Sequence, residues 1–174
     1  MPVEPARIDL ATLCHELFHE FRSAHPNREI RYRCEGDLIG YWDVDRLRQV
    51  VSNLMGNAVQ HSAQPAPIEL RLDGTGIDLI LVVHNGGPPI PPGELPKIFD
   101  PLVRGSNAEH PKQNRPGSIG LGLYIAREIA RSHGGSLDVT STAEAGTTFT
   151  VCLPRNHLAR DGQPILDERQ VQKM

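Results

Sequence analysis

The sequence predicts a two-layer α/β sandwich, a mixed sheet covered on one face by helices. Three observations predict it. Helical stretches carry a single apolar stripe each, alternating strand-like segments come in pairs around turn residues, and the 174-residue chain, 39% hydrophobic, is long enough for one cored domain. Residues 1–154 are expected to form that domain, and the polar, aperiodic residues 155–174 form a tail of a composition that favours disorder.

Residues 9–25 place Leu10, Leu13, Leu17, Phe18 and Phe21 on one helical face, with Asp9 as N-cap and Pro26 just past the end. "REIRYRCEG" then alternates as a strand does, and "LIGYWD" offers a short second one. Asp43 or Asp45 is placed to cap a helix running to about Ser62. "APIELRLDGTGIDLILVVHNGG" reads as two strands around Asp73-Gly74-Thr75-Gly76, a turn whose glycines tolerate positive φ. Residues 86–117 are rich in Gly and Pro and too long for an ordinary connection, which points to function. "SIGLGLYIAREIARSHGG" is a helix closed by Gly134, and "SLDVTSTAEAGTTFTVCLP" is a second hairpin.

Composition excludes several classes of function. A net charge of −3 with interspersed signs offers no basic stripe, so nucleic acid is not an expected partner. No apolar run approaches the length of a membrane span and the start lacks a signal-peptide layout, so a cytoplasmic domain without membrane contact is expected. The three cysteines, Cys14, Cys34 and Cys152, have no paired spacing and are assigned no role. Trp42 is expected in the core.

Chemistry gathers in three stretches. In "SNLMGNAVQHS" the residues Asn53, Asn57, Gln60 and His61 form one polar stripe on an otherwise apolar helix. Solvent-facing stripes favour Lys, Glu and Arg; two interior Asn and a Gly lower helix propensity, so the stripe serves something other than solubility. An Asn amide offers a neutral oxygen to a hard cation and N–H donors to a phosphate. "VVHNGGPPIPP" brings bare backbone to a strand end, where a planar ring can approach. "GSIGLGLYIA" opens a helix with Gly117, Gly120 and Gly122, whose backbone N–H groups suit an anion. It is neither a Rossmann fingerprint nor a P-loop.

In this order the three stretches resemble the ATP-binding catalytic domain of sensor histidine kinases, the Bergerat or GHKL fold shared with DNA gyrase B, Hsp90 and MutL. The resemblance spans roughly residues 8–154. It implies Mg-ATP as ligand and phosphoryl transfer to a histidine on a separate dimerisation domain, with a response regulator downstream. Asn53 and Asn57 match the N box, Asn57 being the implied Mg²⁺ ligand, with Gln60 and His61 beside the phosphates. Asn85, Gly87 and Ile90 match the first glycine box, where an acidic residue usually receives the adenine amino group. "KIFDPLVRGS" resembles the F box, which assigns Phe99 to packing beneath the ATP lid, residues 103–117, and Arg104 to the phosphates. Gly117, Ser118, Ile119, Gly120, Leu121, Gly122 and Leu123 match the second glycine box, and Thr147 in "GTTF" is the implied partner of an adenine-bound water. Asn53, Asn57, His61 and Arg104 form the implied catalytic set.

Departures from the pattern carry chemical consequences. Asn85 in place of Asp keeps an acceptor oxygen but loses its charge, so weaker binding, micromolar or worse, is expected. Pro89 replaces a glycine, a variant resembling bacteriophytochrome-type kinases. Gln60 stands where many relatives have Lys, leaving His61, Arg104, Lys112 or Arg115 to compensate. Asn53 stands where the gyrase and Hsp90 branches keep a Glu general base, so simple hydrolysis should be slow.

No acceptor-bearing hairpin precedes the ATP-binding region, and "CHELFH" lacks the Arg-x-Pro that follows an acceptor histidine, so a domain inactive without its histidine partner is expected. Two rival readings remain. "HELFHEFRSAH" fits His15-Glu16-x-x-His19 with His25 at third-ligand distance, as in zinc metalloproteases, although Arg22 replaces the turning glycine. Alternatively the same fold could serve an anti-sigma-type serine kinase or a degenerate regulatory module.

Overall fold

A computed structural model describes residues 2–101 and 121–156. Arg104, Lys112, Arg115, the lid 103–117, Gly117, Ser118, Ile119 and Gly120 lie outside the described residues, as does the tail from 157. The elements run β1 Ala6–Asp9, α1 Leu10–Ala24, β2 Ile30–Gly36, β3 Ile39–Trp42, α2 Val44–His61, β4 Ile68–Gly74, β5 Leu79–Asn85, α3 Gly122–Ser132, β6 Ser136–Thr142 and β7 Gly146–Leu153. A 3-10 turn, Leu95–Lys97, interrupts the segment after β5.

The main sheet has the order β2-β4-β5-β7-β6, with β2 parallel to β4 and every other pair antiparallel. Alternation sends Ile68, Leu70 and Leu72 of β4, Leu79, Leu81 and Val83 of β5, and Phe149, Val151 and Leu153 of β7 to one buried face. Against that face pack Leu47, Val50, Val51, Leu54, Met55 and Ala58 of α2, with Ala126, Ile129 and Ala130 of α3. Each of the larger side chains among these, Val, Leu, Ile, Met or Phe, contributes about 1.5–3 kcal/mol through burial. The expected mixed sheet under one helical layer is the observed fold.

Helix starts follow their capping residues. Asp9 accepts from the Ala11 N–H at 2.9 Å and begins α1. Of the two candidate caps for α2, Asp43 holds the position, accepting from the Arg46 N–H at 3.2 Å. The Asp43 N–H in turn donates to Nε2 of buried His133 at 3.1 Å, which leaves Nδ1 as the protonated nitrogen, donating to Ile129 O at 2.8 Å. A neutral imidazole thus joins the end of α3 to the start of α2. His133 is the C-cap of α3, and Gly134 follows it with φ +75°.

The structure departs from the sequence reading at four places. β1, a strand not expected from sequence, pairs antiparallel with β3 as a separate two-stranded sheet. Neither Gly74 nor Gly76 has positive φ; the turn is closed by Asp73 Oδ1, which accepts from the Thr75 N–H at 2.8 Å and hydroxyl at 2.6 Å. Within the described residues α3 begins at Gly122, later than the glycine run placed it. Arg155, assigned to the tail, is an anchor: its guanidinium donates to the carbonyls of Ile77, Asp37, Ile39, Gly74 and Gly76, and its own carbonyl accepts from the Tyr41 N–H. Beside it Trp42, fully buried as expected, donates from Nε1 to Pro154 O at 2.8 Å.

Candidate functional site

The described parts of the three chemically unusual stretches meet where the C-terminal half of α2, the first turn of α3 and the ends of β5 and β7 converge. Asn53 Nδ2 donates to Gly122 O at 3.0 Å, which fixes the start of α3 against the polar stripe of α2. A Cβ at Gly122 would lie 3.6 Å from Asn53 Cγ, an ordinary van der Waals contact, so this hydrogen bond does not itself require glycine. Asn57 follows one turn later on the same helix, half-buried like Asn53, while Gln60 and His61 are exposed at the rim. Although His61 is accessible, its surroundings remove enough water to hold the imidazole below the ordinary histidine range. Leu121 supplies no side-chain cap to α3, and Leu123 packs against the core.

Asn85 closes β5, pairing with Ile68 on one side and Thr147 on the other. It is 2% exposed. Its Nδ2 donates to Gly86 O at 3.2 Å, which distinguishes the two ends of the amide, and its Oδ1 is buried with no hydrogen-bond partner among the described residues. A buried acceptor without a donor is costly and rare, and such orphans concentrate where a ligand completes the bonding. The chain reaches this geometry through glycine. Gly87 has φ +145°, and a Cβ there would lie 2.7 Å from His61 O, so the turn after β5 rests on the end of α2; the Ala63 N–H donates to Gly86 O at 3.1 Å. On the other side Gly146, with φ +75°, comes so close that a Cβ would sit 2.4 Å from Asn85 O.

Thr147 is buried, and its hydroxyl shares a 2.7 Å hydrogen bond with that of Ser141, its Cα partner on β6. Ser141 Oγ also accepts from the Ile90 N–H at 2.9 Å, tying the segment after the proline pair to the sheet. Phe99 is 8% exposed, edge-on to Phe149 at 6.4 Å and covered by the Arg127 guanidinium 5.2 Å from its ring centroid. It thus anchors the segment leading to residue 102 against β7 and α3.

Residues 42–157 match the family model described as histidine kinase-, DNA gyrase B- and HSP90-like ATPase. The chain belongs to this ATPase family. The chain is 32% identical over 140 residues to the sensor protein SrrB of Staphylococcus aureus, an overlap covering 73% of this chain and 24% of SrrB. The chain therefore spans about a quarter of the curated relatives it matches. Among solved structures it resembles the catalytic domain of histidine kinase ThkA, with TM-score 0.75 and 27% identity over 87% of this chain and 96% of that one. It also resembles the mycobacterial sensor histidine kinase MprB, with TM-score 0.70 and 25% identity over 93% of this chain and all (100%) of that one.

The structure brings Asn53 against Gly122, Asn85 beside Thr147, and Phe99 against β7 and α3; Ser141, Gly146 and Gly86, which the sequence does not single out, contact Thr147 or Asn85. Gly146 stood inside the quoted "GTTF"; Ser141 becomes visible only when the second hairpin is put in register. The metalloprotease residues do not assemble a metal centre. His15 and His19 hydrogen-bond each other through their Nε2 atoms at 3.1 Å, and Glu16 is ion-paired to Arg48 at 2.7 Å. Among the described residues no three His, Cys, Asp or Glu groups are placed to hold a metal. The cysteines are free; burial, and secondarily the neighbouring Cys34, pushes the Cys14 thiol up to about 12, leaving it unreactive. Among the described residues no helix is long and apolar enough to cross a membrane.

Proposed function

We propose that the site binds Mg-ATP and presents the γ-phosphoryl group to a histidine on a separate dimerisation domain, in the cytoplasmic signalling chemistry of two-component kinases. The single observation carrying this reading is the orphaned, buried Asn85 Oδ1, an acceptor aimed where a purine amino group would supply the missing donor. Thr147, directly opposite, supplies a second polar contact to the base, directly or through a water.

The amide of Asn57 would fit a Mg²⁺ ion brought by the nucleotide: one neutral oxygen, with no carboxylate cage among the described residues, is the protein share that such a cation would take when phosphates and waters supply its other ligands. When bound, Mg²⁺ neutralises charge on the β- and γ-phosphates. Asn53 holds α3 so that its N-terminus can accommodate the phosphates, a role to which the family resemblance also assigns Gly117, Ser118, Ile119 and Gly120. Gln60 and His61 border them, the family resemblance assigns Arg104 to them, and Gly87, Ile90, Leu121 and Leu123 shape the walls. In transfer, the bond from the γ-phosphorus to the bridging oxygen breaks, a bond to an imidazole nitrogen forms, and ADP departs. Catalysis is positioning and electrostatics, with no carboxylate base at position 53 to activate water.

The partners belong to this proposal as well. ThkA has been solved in complex with the response regulator protein TrrA, and a response regulator is the downstream partner proposed here.

Calorimetric titration with a non-hydrolysable ATP analogue, with and without Mg²⁺ and against GTP, tests the reading. Saturable binding that favours adenine and strengthens with Mg²⁺ is the expected result. No binding at millimolar nucleotide overturns it in favour of a degenerate regulatory module.

A further inference from the structure

Resting on the ATP-binding reading, we propose that Ser141 is the residue that sets base specificity: it orients the Thr147 hydroxyl as a hydrogen-bond donor, so that the floor of the site is complementary to adenine and not to guanine. Ser141 has one hydroxyl proton and two lone pairs. One lone pair takes the Ile90 N–H at 2.9 Å, a bond whose direction is fixed because a backbone amide only donates. The contact to Thr147 Oγ1, 2.7 Å away, can run either way.

Two physical effects favour donation from Ser141 to Thr147. A hydroxyl that already accepts a hydrogen bond is a stronger donor, so the chain Ile90 N–H to Ser141 O–H to Thr147 O–H is mutually reinforcing. The reverse direction would also make Thr147 spend its only proton on Ser141, leaving lone pairs beside Asn85 Oδ1, itself an acceptor without a donor. Thr147 and Asn85 are Cα partners on adjacent strands, close enough for their side chains to act on one ring edge.

With Ser141 donating, the floor offers an acceptor, Asn85 Oδ1, next to a donor, the Thr147 hydroxyl. Adenine presents the complement, an amino donor beside a ring-nitrogen acceptor. Guanine presents a carbonyl oxygen beside a protonated ring nitrogen, which meets acceptor with acceptor and donor with donor. Ser141 itself need not touch the nucleotide. It is a positioning residue that acts through Thr147 and, by holding Ile90, through the wall beside it.

The test compares ATP and GTP affinities of the wild-type chain, Ser141→Ala and Ser141→Thr by calorimetry with Mg²⁺ present, alongside thermal melts. Ser141→Ala is expected to weaken ATP binding about fivefold, the scale of one hydrogen bond, and to reduce the ATP-to-GTP preference. Ser141→Thr, which keeps the hydroxyl on a strand that tolerates β-branching, is expected to restore the preference. A purely structural role would lower affinity for both nucleotides equally, so an unchanged preference in Ser141→Ala overturns the inference. A wild-type chain that binds neither nucleotide overturns the ATP-binding reading and this one with it.

Discussion

Asn53 donates its side-chain amide to the carbonyl of Gly122, 3.0 Å away, and this bond locks the polar face of α2 to the first turn of α3. The same residue therefore stabilises the fold and shapes the site. Asn53→Ala is expected to cost about 1 kcal/mol, read as a melting temperature lower by roughly 2–4 °C, and to weaken nucleotide binding through misplacement of the α3 N-terminus. A lowered melting point with unaltered affinity would place Asn53 outside the site.

Asn57 is the contrasting case, half-buried one turn away with its proposed role directed at the cation. Asn57→Ala is expected to abolish the Mg²⁺ dependence of ATP binding while stability changes by no more than about 0.5 kcal/mol. Titration in Mg²⁺ and in EDTA, beside a thermal melt, checks both halves.

His61 makes affinity pH-dependent. Desolvation lowers its folded pKa, so the imidazole in the free chain is neutral near pH 7. Phosphate charge would draw it back up, so ATP binding takes up a proton and affinity rises as pH falls from 7 toward 6. In the free chain the sign is opposite: the lowered pKa means that the unfolded state binds the proton more readily, and this group's contribution to stability is lost as pH falls below the unfolded value. His61→Gln should flatten the affinity profile; an unchanged profile would remove His61 from the phosphate environment.

Gly146 carries a backbone requirement. With φ +75° and a virtual Cβ 2.4 Å from Asn85 O, Gly146→Ala must strain β7 or displace Asn85. A loss of roughly 2 kcal/mol or more is expected, with ATP affinity falling alongside, as thermal melts and titration would record.

The parts legible in the sequence were those whose cause is local. Asp9 and Asp43 announce their helices because a cap needs only its own next few residues. The stripe of Asn53, Asn57, Gln60 and His61 stands out because such residues are poor choices for a helix unless something occupies that face. β1 was hidden: four residues are too short for a periodic signal, and its last residue, Asp9, doubles as the cap of α1. Arg155 read as tail because the carbonyls it binds come from two loops far away in sequence. Ser141 needed the β6–β7 register, which one residue of slip would have reversed. Asn85 could be read as a departure from the acidic residue, but its unpartnered oxygen is a property of the packed sheet.

The most direct test of the central assignment replaces the adenine amino group that Asn85 Oδ1 is proposed to accept. Purine riboside triphosphate carries only a hydrogen at that position and keeps the neighbouring ring nitrogen as an acceptor, so its affinity measured against ATP, at fixed Mg²⁺, isolates that one contact. Binding weaker by about tenfold or more is predicted, because Asn85 Oδ1 would then stay buried beside the ligand without a donor. Equal affinity for the two nucleotides would contradict the assignment of Asn85 as the base-reading residue.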